Sequence, residues 1–210
     1  MEQDYVYSCE ERNIEQFPSF FDEVWSDLPE IQLIDTETGH KPRLSTTVKI
    51  FWNKVRDSVC FQFYCQDNNI VSTMKNHDDP IYKEDVVEVF ISETGSLTSY
   101  KEFEVSPANV KFDAAIYNNP DKALQVMTDW HAEGWKTDCY VNLEKSQFIS
   151  VWEIPFKNFS TGTPVKGTEW RINCYRIDRN SAGQDEYTAW SPTGKADFHM
   201  PDSFGYLRFD

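Results

Sequence analysis

Apolar and polar residues alternate with a period of two through most of this chain, the pattern of half-buried β-strands. In RLSTTVKIFW, Val48, Ile50 and Trp52 share one face, and Thr47, Lys49 and Phe51 share the other. In SVCFQFYCQ, Val59, Phe61, Phe63 and Cys65 point the same way. The NKVRDS between these runs supplies turn residues, so the two read as a hairpin. EDVVEVFIS, SYKEFEVS, VKFDAAIY, TDCYVNLE, FISVWEIPF, TEWRINCYRID and GYLRF read as further strands. Helical periodicity is scarce, and the pattern predicts only short helical pieces at residues 20–28 and 155–159. Many short strands broken by Gly, Pro, Asn and Asp point to an all-β protein, an antiparallel β-sandwich of two packed sheets. No internal repeat or Pro/Gly/Ser linker divides the chain, so residues 1–210 read as a single domain.

The alternation also sorts the polar groups. In EDVVEVFIS, Val87, Val89 and Ile91 form one face, and Val86, Glu88 and Phe90 form the other. In YKEFEVS, Phe103 and Val105 match a core face, which sets Tyr100, Glu102 and Glu104 opposite. In EWRINCYRID, Trp170, Ile172 and Cys174 read as buried, leaving Arg171, Asn173 and Tyr175 on the far side. If these strands are neighbours, their second faces merge into one surface of hydrogen-bonding groups and aromatics. A plain solvated sheet face carries the same pattern, so alternation alone leaves both readings open.

Charge narrows the ligand. There are 35 acidic and 20 basic residues, a formal net charge of -15. That balance repels phosphate backbones and anionic bilayers, which sets aside nucleic acid and membrane surfaces as partners. Neutral ligands, cations and metals are left. No run approaches the roughly 20 apolar residues of a spanning helix. The start, MEQDYVYSCEERN, is acidic and polar and lacks the basic and apolar regions of a secretion signal. The five cysteines form no CxxC, and the spacing of Cys60 and Cys65 sets them on opposite faces of one strand. Buried, reduced thiols fit a reducing compartment. The expected location is therefore the cytoplasm, with secretion the alternative if a signal has been removed.

The order of motifs adds a further reading. Trp25 in FFDEVWSDL precedes the TTVKIFW strand and a strand ending at Asp67. IYKEDVVEVFIS and YKEFEVSP follow, then WRINCYRID, AWSP and FHMPDSFGYLRF. Over nearly the whole chain this order resembles the family 9 carbohydrate-binding modules and their family 9-like relatives, β-sandwiches related to the immunoglobulin-like DOMON domains. The resemblance implies binding of the ends of sugar chains, with one ring held between two aromatic side chains, and an association with calcium. Mapped residue by residue, it implies that Tyr82 and Phe198 are the two clamp aromatics. It further implies that Glu88 is the strand carboxylate that takes sugar hydroxyls, and that Lys195 is a polar contact before the second aromatic. Tyr82 and Phe198 stand where the xylanase-attached modules have Trp, and Glu104 stands where they have a basic residue.

The chemistry of a sugar fits these residue types. Sugars present hydroxyls around the rim and C–H groups on the ring faces, so a site needs flat aromatics together with acceptors and donors. Glu102, Glu104, Arg171, Asn173 and Tyr175 are the remaining candidates for the polar part. Trp190 in AWSP either stacks on ligand or anchors a strand end. Glu88, between Val86 and Phe90, needs a partner if it is buried; Arg171 and Lys101 are the structural choices and a ligand hydroxyl the functional one. Arg171 equally reads as a salt-bridge partner of Glu102 or Glu104. In HDDPIYKED, Asp78, Asp79, Glu84 and Asp85 make an oxygen-rich loop of a kind that suits calcium, with Asp67 a further donor or a turn cap. Two other functions compete with binding. One is glycoside hydrolysis by Glu88 and Glu104 as a carboxylate pair. The other is a haem domain, as among DOMON relatives, with ligands drawn from Met74, His77, Met127, His131, His199 and Met200. Sequence signatures of serine hydrolases, zinc proteases and phosphate-binding loops are absent, and carbohydrate binding without catalysis is the expectation.

Overall fold

A computed structural model describes residues 5–210. Among them lie fourteen strands: β1 Val6–Glu11, β2 Ile31–Gln32, β3 Ile34–Asp35, β4 Thr46–Asn53, β5 Ser58–Gln66, β6 Val86–Ser92, β7 Ser99–Val105, β8 Lys111–Tyr117, β9 Gln125–Met127, β10 Lys136–Asn142, β11 Gln147–Pro155, β12 Glu169–Arg179, β13 Asp185–Ala189 and β14 Gly205–Phe209. The paired order is β10-β11-β5-β4-β1-β14-β12-β6-β7-β8-β9. The short β2 pairs with β4, while β13 pairs with β12 and β3. The two halves of this ribbon pack face to face as a sandwich. Val48, Phe61, Phe63 and Trp152 from one half meet Val87, Val89, Phe103, Trp170 and Leu207 from the other in the main core.

The predicted hairpin forms, with Thr46 opposite Cys65 and Asn53 opposite Ser58. Cys65 faces the main core. Cys60 lies on the other side of the strand, under Trp25, Leu28, Phe51 and Val151. All five thiols are free. Strand direction departs in one place from the antiparallel expectation. β1 runs parallel to β14 through Val6–Cys9 and parallel to β4 at Glu10 and Glu11. Neither neighbour is joined to β1 by a hairpin, so no tight turn forces the strands to oppose. One strand thereby stitches the two halves together.

Helix is limited to single 3-10 turns at Glu23–Trp25, Ile81–Lys83, Leu143–Lys145, Phe156–Asn158 and Pro201–Ser203. The piece expected at residues 20–28 shrinks to the first of these. So short a segment cannot sustain a helix alone; it is held because Trp25 is buried against Phe51, with ring centroids 4.8 Å apart. At β14 a glycine is required: a Cβ on Gly205 would sit 2.7 Å from the Trp190 ring and 2.8 Å from the Tyr5 carbonyl.

The outer face of the β12-β6-β7-β8 sheet is not left to water. Loops bring a second apolar cluster over it, including Ile81, Phe90, Tyr100, Phe112, Tyr175, Phe198 and Phe204. Beside it, buried Arg176 on β12 crosses to the opposite half. Its guanidinium donates to Asp67 at 3.0 Å, Asp178 at 2.6 Å, the Gln66 carbonyl at 2.7 Å and the Thr46 hydroxyl at 3.0 Å. Removing one partner of such a buried set leaves its carboxylates stranded. Arg176→Ala is expected to cost about 3–5 kcal/mol in urea unfolding, and Arg176→Lys, which cannot fork to four acceptors, to recover only part of it.

Candidate functional site

The site begins with strand register. Across β12, β6 and β7, Tyr175 pairs with Glu88 and Glu88 with Glu104. Two residues along, Asn173 pairs with Phe90 and Phe90 with Glu102. Glu104 then faces Phe112 on β8. These side chains share the outer face, because alternate residues of a strand point the same way. Of these, Glu88, Phe90, Glu102 and Glu104 floor a cavity of about 600 Å³, whose walls include Tyr82, Phe112, Val126, Thr128, Ile177, Tyr187, Phe198 and His199.

The floor is unusual for its carboxyls. Glu88, Glu102 and Glu104 are 2%, 5% and 0% exposed. One oxygen from each lies within 4.8 Å of the others. Among the described residues, Glu88 Oε1, Glu102 Oε2 and both Glu104 oxygens are buried without a hydrogen-bond partner. Burial and mutual repulsion, with no cation to offset them, push Glu88 and Glu104 well above the usual carboxylate range. Burial lifts Glu102 to about 7. At neutral pH Glu88 and Glu104 therefore hold protons and can donate as well as accept, while Glu102 titrates there.

Aromatics supply the walls. Phe198 stacks on Tyr175 at 4.2 Å with 14° between the rings, and the Tyr175 hydroxyl donates to the Phe198 carbonyl at 3.1 Å. Tyr82 stands on the Ile81–Lys83 turn, edge-on to Phe112 at 5.8 Å and still 43% exposed. His199 packs over Phe90 at 5.2 Å, with its Nδ1 hydrogen-bonded to the Tyr100 hydroxyl at 2.9 Å. Burial holds the His199 imidazole below its ordinary pKa, in the neutral form at neutral pH. Its Nε2 is the nitrogen left for a ligand.

The structure thus brings together Tyr82, Glu88, Glu102, Glu104 and Phe198. Other sequence candidates have different partners. Arg171 leaves the trio and donates to the Phe204 carbonyl at 2.8 Å, with its guanidinium 4.7 Å from the centre of the Tyr206 ring. Lys101 faces the other side of the sheet and pairs with Glu93 at 2.5 Å. Neither cation serves Glu88. Asn173 is wholly buried, its amide spent on the Ser191 carbonyl at 2.8 Å and the Ser191 N–H at 3.0 Å. Tyr175 backs Phe198 and is itself fully buried. Trp190 belongs to the main core, edge-on to Tyr5 at 6.0 Å. Lys195 is exposed and pairs with Asp197 at 3.1 Å.

The acidic loop is likewise divided among separate partners. Asp79 accepts from the Lys75 and Asn76 N–H groups, and Glu84 from Thr73. Asp85 accepts from the Val71 and Arg179 N–H groups, and burial raises it to about 7. Asp67 is taken by Arg176 and the Asn69 N–H. These four carboxylates cap main chain and hold the loop that carries Tyr82. Among the haem candidates, His77 and His131 approach each other, but one Asp113 oxygen lies 2.6 Å from the first and 3.7 Å from the second. His199 is engaged with Tyr100 and Phe90.

Sequence reasoning missed Phe112, Val126, Thr128, Ile177 and Tyr187 as wall residues. Phe112 could have been found by carrying the alternation of β7 across to β8. Val126 and Thr128 belong to a three-residue strand and its exit, too short for a periodic signal.

Comparisons with known proteins bear on this site. A protein of Bacteroides uniformis, named as a candidate carbohydrate-binding protein, superposes with a TM-score of 0.78 at 16% identity, over 99% of this chain and 100% of that one. A family 9 carbohydrate-binding module of Caldicellulosiruptor kristjanssonii in complex with cellotriose superposes with a TM-score of 0.72 at 12% identity, over 98% of this chain and 93% of that one. The same module in complex with glucose gives 0.69. At such identities the likeness is one of fold. A relative in Arthroderma benhamiae, named "Extracellular protein", is 29% identical over 185 residues, 83% of this chain and 82% of that one. The model of the family described as "Carbohydrate family 9 binding domain-like" matches residues 19–210, and the chain belongs to that family.

Proposed function

We propose that the cavity over β6, β7 and β12 binds a mono- or oligosaccharide and releases it unchanged. The observation that carries this reading is the buried trio of Glu88, Glu102 and Glu104, which has no partner outside itself for Glu88 Oε1, Glu102 Oε2 and both Glu104 oxygens and is roofed by aromatic side chains. Unsatisfied buried carboxyls are costly, and the rim hydroxyls of a sugar supply the missing partners. Tyr82 and Phe198 lie at the cavity for the C–H faces. Family membership supports carbohydrate as the ligand class, and the glucose and cellotriose complexes of the Caldicellulosiruptor module make gluco-configured sugars the first probes. Membership of a family of carbohydrate-binding domains favours binding without catalysis. The name of the Arthroderma relative favours secretion over a cytoplasmic location.

Titration with glucose, cellobiose and cellotriose is expected to give saturable heats and a raised Tm. Tyr82→Ala is expected to weaken binding about tenfold, or about 1.4 kcal/mol, while leaving the unliganded Tm near that of the parent. No response across a broad glycan panel would sink the proposal. Turnover of an aryl glycoside that vanishes in Glu88→Gln would replace it with an enzyme.

The trio also sets a pH dependence. Its folded-state pKa values are raised, so between about pH 4.3, where free glutamate titrates, and the folded values the native state holds protons that the unfolded chain has lost. Stability from these groups is therefore full at low pH and falls as pH rises through about 7 and beyond. Glu104→Gln is expected to flatten the decline in unfolding free energy from about pH 5 to about pH 8, by up to about 1.4 kcal/mol per pH unit. Parallel parent and variant curves would refute this.

A further inference from the structure

Across β8 from the cavity lies a second cluster. Phe112 faces the sugar site, and its neighbour Asp113 faces the opposite way. Asp113 meets His77 and Asp78 from the loop after β5, and His131 from the loop after β9. His77 Nε2 is 2.6 Å from Asp113 Oδ1 and 3.2 Å from Asp78 Oδ1. His131 Nδ1 is 3.7 Å from Asp113 Oδ1 and 3.8 Å from Asp78 Oδ2. One ligating atom from each of the four residues lies within 4.8 Å of all the others. Two of the chain's four histidines are gathered here.

We propose that His77, Asp78, Asp113 and His131 form a four-coordinate site for a zinc-like divalent cation. Zinc takes nitrogen and carboxylate oxygen at about 2.0–2.2 Å, which sets tetrahedral ligand atoms about 3.3 Å apart; His77 reaches Asp78 Oδ1 at 3.2 Å and hydrogen-bonds Asp113 at 2.6 Å, and His131 lies 3.7 Å from Asp113 Oδ1 and 3.8 Å from the other Asp78 oxygen, so small shifts bring the set to that spacing. As metal ligands, two carboxylates and two imidazoles would balance a dication in charge. Two nitrogen donors suit zinc or its first-row neighbours, whereas calcium takes six to eight oxygens. The Asp113 side chain is 1% exposed, and its second oxygen accepts the Ala132 N–H. That bond aims Oδ1 at the cluster, as outer-shell partners do for metal ligands. The imidazoles are 42% and 54% exposed, so a cation has a path in. The neighbouring Asp79, Glu84 and Asp85 are engaged elsewhere, so the cluster is a selection of residues and not the acidic loop as a whole.

The site joins three segments distant in sequence. Tyr82 follows Asp78 by a few residues, and Thr128 shortly precedes His131. A bound cation would staple both of these wall-bearing loops to β8. The metal site does not depend on the sugar reading, and its test uses metal alone. Protein stripped with a chelator is titrated with Co2+ and Zn2+. The expected results are one cation per chain by elemental analysis, the intense visible bands of four-coordinate Co2+, and their loss on adding Zn2+. Zn2+ at about a hundred times its Kd is expected to raise Tm by about 5–10 °C. His131→Ala, at a half-exposed position where folding is safe, and Asp113→Asn are each expected to weaken binding at least 10–100-fold, about the loss that outer-shell changes alone cause. Three results would overturn the proposal: no Co2+ bands and no Tm rise in the parent, an undiminished response in His131→Ala, or a Tm rise with Ca2+ but none with Zn2+.

Discussion

Three carboxyl groups removed from water with no cation beside them are the costliest feature of this protein, and much of the surrounding structure answers to them. An isolated buried carboxylate is so unfavourable that the group keeps its proton instead. Glu88 and Glu104 do so, and Glu102, lifted to about 7, does so in part. They cannot turn away, because backbone pairing of β6 with β7 and β12 sets Glu88 beside Glu104 and Tyr175. Little of them meets water, because they lie at the base of a cavity walled by Phe112, Phe198 and His199. A group that is stable only as a neutral acid becomes a donor and acceptor on an otherwise apolar floor. That is the chemistry a neutral polyol asks for.

The roof over this floor comes from distant parts of the chain, and each part is secured in its own way. The loop bearing Tyr82 is bound by its own acids: Asp79, Glu84 and Asp85 each accept main-chain N–H groups. The segment bearing Phe198 rests on Tyr175 by stacking and by a hydrogen bond to its carbonyl. Behind both, Arg176 ties β12 to the ends of β4 and β5. Parallel pairing through β1 joins the two halves of the ribbon of strands. β8 borders both places, with Phe112 on the cavity wall and Asp113 in the histidine–aspartate cluster. Successive residues of one strand give the two chemistries separate faces.

The acidic composition takes on a different meaning in this light. A net charge of -15 left neutral ligands, cations and metals in view. Several of the acids serve the fold instead. Some cap loops, some balance Arg176, and Glu88 and Glu104 keep their protons at the cavity floor. Charge counted along a chain treats every carboxyl alike, whereas burial separates them.

Much of the fold was legible along the chain. The period of two located β4, β5, β6, β7, β8 and β12, and it assigned Val87, Phe103 and Ile172 to the core face with Glu88, Glu102 and Glu104 opposite, because side-chain direction in a strand is a local property. The family resemblance had set Tyr82 and Phe198 at one site, and both line the same cavity. What sequence did not decide was whether the second face met water. That depended on loops folding back over the sheet, a matter of long-range packing with no local signal. The same holds for Arg171, Asn173 and Trp190, whose residue types suit a sugar but whose side chains found carbonyls, an amide partner and a core contact nearer to hand. Asp113 gave no sign of its role, because its partners His77 and His131 lie in loops on either side of β8 in the chain. Residue order determined the strands and their faces; only tertiary contact decided which polar groups would be paired within the protein and which left for a ligand, since a hydrogen-bond partner is fixed by distance in space.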